Sequence, residues 1–248
     1  MYICTANYGF NMEQPVIVQL RGTIFFPQFI GYTQENADKF KELLLPDAEV
    51  MGLPPTGVPF NKTNPLALAY GMPWQLISNG IRILFLPNKI DILQEREGAM
   101  GEVDVDFLKI CTELFLRFKE ASGFSVNRLA YAPLLSIKTD GNLQNSEFWQ
   151  GIIKQISYRG VPLQNIEFNY LLKNVVNIHG KDIEMNFLHQ ISDGYHYTRG
   201  AKDYDCVLLR LDINTVPDKP YSFEIEDIKL FYTEVLRLQK EQIENLFV

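Results

Sequence analysis

Cysteine is scarce in this chain, and no two cysteines lie close together in the sequence. Among 248 residues only Cys4, Cys111 and Cys206 are cysteines. An odd number of cysteines without a CxxC spacing argues against a disulfide framework and against a cysteine-rich zinc site. We therefore expect all three thiols to be small apolar side chains in the core.

Long apolar runs are also missing. No segment approaches the roughly 18 apolar residues that a membrane-spanning helix needs. Residues 1–15 contain neither a basic stretch nor an apolar one, so they do not resemble a signal peptide. The composition is that of a globular protein, with 46% hydrophobic and 21% charged residues. The sequence therefore predicts a cytoplasmic protein that does not enter the membrane.

Positive charge is in deficit, and the formal net charge is -7. An acidic chain lacks the broad basic surface that neutralises nucleic-acid phosphates. This disfavours nucleic acid as a partner, although a single local basic patch would still permit it.

Signatures of catalysis and of cofactor binding are absent as well. The patterns GxxxxGKS/T, GxSxG and HExxH do not occur, and no GxGxxG follows a predicted strand. Histidine is rare, with His179 in a predicted turn. His189 and His196 lie seven residues apart on one predicted strand, so their side chains point to opposite faces. The sequence therefore predicts no metal site and no cofactor, and it favours a protein that is not an enzyme.

Strand and helix patterns fill most of the remaining sequence in two similar series. The first series is a strand, a helix, three strands and a helix, at residues 15–26, 33–45, 66–78, 80–86, 90–93 and 102–122. Thr33 is a good N-cap for its first helix, and Asn79-Gly80 is a favoured hairpin turn. Five prolines exclude regular structure from the Pro-rich segment, residues 46–65.

The second series has the same order of elements. It predicts a strand, a helix, three strands and a helix, at residues 125–137, 146–157, 161–178, 183–192, 206–215 and 225–247. The two long helices align at a constant offset, which places Lys109 on Lys229 and Arg117 on Arg237. This indicates an internal duplication. The alternative is that two amphipathic helices look alike because each buries an apolar stripe.

These patterns predict an α+β fold with two related β-α-β-β-β-α halves, in which helices cover a mainly antiparallel sheet. The halves would be residues 1–122 and 123–248. They would either merge into one domain with a single sheet or face each other across a cleft.

Several segments resemble a sporadically distributed family of bacterial proteins of about this length and of unknown function. The matching features are PWQLISNGIRILFLPNKIDI with the long helix after it, SVNRLAYAPLLSI, and LLRLDINT with the terminal helix. The resemblance covers residues 72–248, and the Pro-rich segment departs from it. It implies an accessory bacterial protein of α+β fold, and it implies no catalytic residues.

Tyr195, His196 and Arg199 lie close together in the segment SDGYHYTRGAKDYD, residues 192–205. Two tyrosines, a histidine and an arginine suit stacking on a base or holding an anion. However, SDG and RGAKD are both turn sequences. We therefore expect a solvated hairpin tip, with the binding cluster as the alternative.

Arginines inside predicted strands form a second candidate site. They are Arg21, Arg82, Arg128 and Arg210. If the strands merge into one sheet, several of these side chains would share a face and form an anion-binding floor, with His196 nearby. The alternative is that each arginine pairs with its own carboxylate. For Asp91 and Asp212, which lie between branched apolar residues, we expect such a paired or capping role.

The Pro-rich segment, with Pro54 and Pro55, and Trp74 beyond it form a third candidate site. Pro-rich segments lose little entropy on docking, and Trp is enriched at interaction hot spots. The sequence thus favours a non-enzymatic binding or interaction protein, homo-oligomeric or with a protein partner, in a bacterial accessory system. The alternative is an enzyme or sensor that binds a small anion or a nucleotide through the strand arginines and the Tyr195, His196 and Arg199 cluster.

Overall fold

A computed structural model gives the fold for most of the chain. It describes residues 15–28, 30–52, 73–95, 98–100, 102–138, 167–178, 180–196 and 204–246. In these ranges the strands β1 to β11 are, in chain order, Val16–Phe25, Glu49–Gly52, Trp74–Ser78, Ile81–Leu86, Lys89–Gln94, Gly98–Ala99, Arg128–Tyr131, Leu134–Lys138, Glu167–Ile178, Lys181–His196 and Tyr204–Thr215. The helices α1 to α3 are Gln34–Leu44, Val103–Ser122 and Ile225–Leu246.

All eleven strands belong to one antiparallel sheet in the order β2-β3-β4-β5-β1-β7-β11-β10-β9. Strand β1 lies in the middle and also pairs with β6 and β8, and β8 pairs in turn with β11. Strands from both predicted halves therefore share one sheet, and the architecture is α+β as the sequence indicates.

Local sequence explains the tight turns and helix ends. Asn79 and Gly80 have φ angles of 49° and 77°, the left-handed conformation that a tight two-residue turn requires, so β3 and β4 form the expected hairpin. Helix α1 begins where the Thr33 hydroxyl accepts a hydrogen bond from the Asn36 amide at 3.0 Å. Helix α2 ends at Gly123, with φ of 66°.

The three helices pack on one face of the sheet and form the core with it. Gly22 of β1 faces α2 so closely that a Cβ on this residue would lie 2.7 Å from the Cys111 sulfur. Phe40 of α1, Phe118 of α2 and Phe85 of β4 form a continuous aromatic cluster with centroid distances of 5.4 and 5.5 Å. Tyr232 of α3 is 1% exposed, and its hydroxyl lies within hydrogen-bond distance of a backbone carbonyl on each of two central strands.

Three sequence expectations were wrong in detail. Residues 49–52 form β2 inside the Pro-rich segment, because its first seven residues carry only one of the five prolines. The strand expected at 125–137 is divided into β7 and β8 at Pro133, which has no amide hydrogen to donate to a ladder. The sequence SDG is not a turn, since β10 continues through it to His196.

Other expectations lie outside the described residues or are met. The predicted helix at 146–157, His179, Cys4 and residues 53–72 lie outside the description. Cys111 and Cys206 are both buried, as expected for apolar thiols, and they do not form a disulfide with each other. Within the described ranges no helix is long and apolar enough to cross a bilayer.

Candidate functional site

The sheet has a second face, called here the outer face, which points away from the three helices. Leu20, Gly22 and Ile24 of β1 point to the helices, so Arg21, Thr23 and Phe25 point to the outer face, since side chains alternate along a strand. Cross-strand partners share a face, which extends this assignment to every paired strand. The outer face is therefore defined by the pairing register.

All four strand arginines lie on this outer face. Arg82 and Arg21 both stand opposite Leu93, which places them in one row two strands apart. Arg128 stands opposite Phe25, and Arg210 stands opposite Leu134. The sequence expectation that merged strands would bring several arginines to one face is met in this respect.

Arg21 belongs to a buried ionic cluster around Asp91. The carboxylate of Asp91 is 1% exposed and accepts hydrogen bonds from the Arg21 guanidinium and from the Thr23 hydroxyl, the latter at 2.7 Å. The Lys89 ammonium lies 3.1 Å from the same carboxylate. Asp91 thus has the paired role expected from the sequence, and its charge is compensated by two cations.

The other arginines have different surroundings. Arg82 pairs with Glu95 at an exposed position. Arg128 donates to the Thr215 carbonyl at 3.1 Å and to the Asn214 side chain at 2.8 Å. Burial lowers the pKa of Arg128, and this effect is opposed by nearby carboxylates. Arg210 is exposed.

Phe25, the last residue of the central strand β1, lies on the outer face between two cations. The Arg128 guanidinium carbon is 4.5 Å from the centre of the Phe25 ring, and the Lys89 ammonium is 5.6 Å from it. Both cations can therefore interact with the ring. Two cations that flank an aromatic ring on an otherwise acidic chain form a small cationic platform, defined as Phe25, Lys89 and Arg128.

The backbone of His196 and the side chain of Arg128 lie at distant positions along β11. In the β10–β11 ladder His196 stands opposite Tyr204, whereas Arg128 contacts residues 214 and 215 of β11. Ten residues along a strand correspond to roughly 34 Å. Tyr195 and His196 lie at the far end of β10, their side chains are not described, and Arg199 lies outside the described residues.

Trp74 lies in the core. Its side chain is 0% exposed, stacks on Phe85 with a centroid distance of 3.9 Å, and meets the edge of Tyr32. A fully enclosed side chain cannot contact a partner, so the expected interaction role of Trp74 is corrected to a packing role. Pro54 and Pro55 lie outside the described residues.

Strand β9 forms one end of the described sheet and carries the clearest exposed apolar surface. It is paired with β10 on one side only, and in the part of the chain that is described no strand lies beyond it. Four large apolar side chains of β9 are between 37% and 55% exposed, namely Phe168, Leu171, Leu172 and Val175. A long edge strand with exposed apolar residues is a template for pairing with another strand.

The sequence contains a signal for this edge that alternation alone misses. The alternation of Phe168 and Tyr170 identifies the face toward the helices, but Leu171 and Val175 are apolar on the opposite face. Apolar residues on both faces indicate a strand that is covered on both sides or that contacts a partner. This break in alternation is the signal in the sequence, and the strand order then identifies β9 as an end of the described sheet.

Beneath the edge strand lies an unusual buried histidine. His189 of β10 is 0% exposed, and its ring is stacked on Tyr170 of β9 at 4.4 Å with an angle of 6° between the planes. Burial lowers the pKa of His189, so the neutral ring is favoured. The stack fixes Tyr170, which holds the middle of β9 against the core. No described group of His, Cys, Asp and Glu could hold a metal ion.

Comparison of the chain with protein families and with curated proteins finds no match. The outer face and the edge strand are therefore the features that indicate a function.

Proposed function

We propose that this chain is a non-enzymatic interaction protein that binds a protein partner along the edge of β9 beyond which no described strand lies. The observation that carries this proposal is the exposure of four large apolar side chains on a twelve-residue edge strand. Strand addition to such an edge combines backbone hydrogen bonds, which give affinity, with side-chain contacts, which give specificity.

The edge lacks several of the features that natural proteins use to prevent strand addition. Edge strands are usually short, charged or interrupted by proline or a bulge. Strand β9 has twelve residues with one lysine, one glutamate and no proline, and its register with β10 is uninterrupted. Exposed apolar patches on soluble proteins mark interaction sites. These properties favour a functional edge.

A photo-reactive residue at position 171 tests this proposal. We expect p-benzoylphenylalanine in place of Leu171 to form covalent protein adducts heavier than 28.6 kDa on irradiation in cells, because Leu171 is 49% exposed on the edge strand. The same residue in place of Lys240, which is exposed on α3, is the matched control. Denaturing electrophoresis measures the adducts, and equal yields at both positions would refute the proposal.

A second candidate function is binding of a small anion or nucleotide at the cationic platform. The specific observation is that Lys89 and Arg128 flank Phe25, with Arg21 on the same face. An aromatic ring between cations can stack on a base while the cations hold a phosphate. Asp91 offsets part of this charge, which makes this candidate secondary.

Titration with ATP and with inorganic phosphate tests the platform. We expect saturable ATP binding that Arg128→Met weakens about tenfold, since charge-assisted hydrogen bonds contribute about 1.5–3 kcal/mol. Arg82→Met, which removes an exposed arginine paired with Glu95, is expected to leave the affinity unchanged. Isothermal titration calorimetry measures both variants, and absence of saturable binding by the unaltered protein would eliminate this candidate.

The internal duplication is part of the same proposal. From the middle of the sheet outward, the strands are β1, β5, β4, β3 on one side and β7, β11, β10, β9 on the other. In each half, the first strand lies in the middle of the sheet and the last strand pairs with it. A helix follows that last strand in the chain. This order supports two copies of one unit, and the family resemblance favours a role in a bacterial accessory system.

A further inference from the structure

The direction of the backbone groups shows which part of β9 is available for pairing. Val175 stands opposite Glu184 of β10. The Glu184 amide donates to the Tyr221 hydroxyl at 2.9 Å and its carbonyl accepts from Val216 at 3.0 Å, so both groups point away from β9. In an antiparallel ladder such pairs alternate with hydrogen-bonded pairs. The amide and carbonyl groups of Val175 therefore point to the outer edge.

The same alternation applies along the rest of β9. Outward-pointing amide and carbonyl groups belong to every second residue, namely Glu167, Asn169, Leu171, Lys173 and Val175. The Val175 amide already donates to the Asn174 side chain at 2.8 Å. The Asn174 side chain thus ends the available edge, which consists of residues 167–173.

This available edge is complementary to itself. In an antiparallel pair of two copies centred on Tyr170, Glu167 of each copy stands opposite Lys173 of the other. Phe168 stands opposite Leu172, and Asn169 opposite Leu171. Cross-strand residues share a face. Both pairs of Glu167 with Lys173 therefore lie on the outer face, and both pairs of Phe168 with Leu172 lie on the face toward the helices. All four outward residues from 167 to 173 would then form about eight backbone hydrogen bonds between the copies.

We propose that a second copy of this chain occupies the β9 edge, paired antiparallel about Tyr170, so that the two sheets join into one. This inference rests on the proposed function, because it names the partner. Charge complementarity selects this occupant. A partner edge with charge of one sign would leave either Glu167 or Lys173 opposite a like charge, whereas the self-pairing satisfies both.

Charge reversal at the edge tests the register. Lys173→Glu places a second carboxylate opposite each Glu167 of the dimer, and Glu167→Lys places a second ammonium opposite each Lys173. We expect each variant to raise the dimer dissociation constant roughly tenfold or more, because like charges directly opposite are destabilising. An equimolar mixture of the two variants removes both like-charge pairs and should associate more tightly than either variant alone. Lys240→Glu, at an exposed site on α3, should associate normally.

Sedimentation equilibrium measures these constants, and circular dichroism confirms that the variants are folded. Either of two sedimentation results would overturn the proposal: an unaltered chain that is monomeric throughout, or a dimer that charge reversal does not weaken. Cross-linked adducts from position 171 at masses other than twice 28.6 kDa would also overturn it while leaving the proposed function intact. Absence of any adduct at position 171 would contradict both.

Discussion

Replacing Asp91 with alanine is expected to destabilise the fold by about 3 kcal/mol, because it leaves two cations on the outer face without their shared anion. The carboxylate is 1% exposed, while the side chains of Arg21 and Lys89 are 38% and 22% exposed. Because both cations are partly exposed, we expect a loss in the free energy of unfolding at the lower end of the range found when buried ion pairs are broken. Urea unfolding measures the change in the free energy of unfolding.

The same sheet provides a matched control for this prediction. Arg82 and Glu95 form an ion pair with side chains that are 38% and 62% exposed. Glu95→Ala should change the free energy of unfolding by less than about 1 kcal/mol, because water compensates exposed charges. Adding Arg21→Met to Asp91→Ala should recover part of the loss, since it removes one of the uncompensated charges. Equal effects of Asp91→Ala and Glu95→Ala would show that the Asp91 cluster does not stabilise the sheet.

Sequence periodicity was sufficient for most of the elements in the described ranges. The spacing of Leu108, Cys111, Phe115 and Phe118 identified α2, and Thr33 and Gly123 marked helix ends correctly. These signals are local, since capping and apolar spacing depend on residues within one or two turns. Pro133 is also a local signal, and it accounts for the division of the strand expected at 125–137 into β7 and β8.

The ionic and aromatic arrangement of the outer face could not be predicted in the same way. Arg21 meets Asp91 because β1 and β5 are neighbours in the sheet, although the two residues lie 70 positions apart in the chain. Arg128 reaches Phe25 and Asn214 only because β7 lies between β1 and β11. Such contacts depend on strand order and register, which alternation alone does not determine. The sequence therefore indicated paired acids without identifying their partners.

The placement of Trp74 has a similar cause. A tryptophan that follows a Pro-rich segment suggested a docking site, because composition alone does not show which face of a strand a side chain occupies. In the ladder Trp74 stands opposite Phe85, and both point to the helices. The strand register, rather than the residue type, thus determines that Trp74 is a core residue and not an interaction anchor.

Trp74→Ala should therefore lower the free energy of unfolding by about 3–5 kcal/mol, as expected for removal of a large buried aromatic side chain. The substitution removes the stack on Phe85 and the edge contact with Tyr32, and it leaves a cavity beside α1 and β4. Urea unfolding with far-ultraviolet circular dichroism as the signal measures the loss.

Trp74→Phe is the matched variant, because it retains an aromatic ring against Phe85. The buried indole N–H of Trp74 has no hydrogen-bond partner among the described residues. Replacement by phenylalanine therefore reduces the buried volume without breaking a hydrogen bond to those residues. We expect it to cost less than half as much as alanine. If Trp74 were instead an exposed interaction anchor, Trp74→Ala would barely change the free energy of unfolding. That pattern would return Trp74 to the interaction surface and contradict its place in the core.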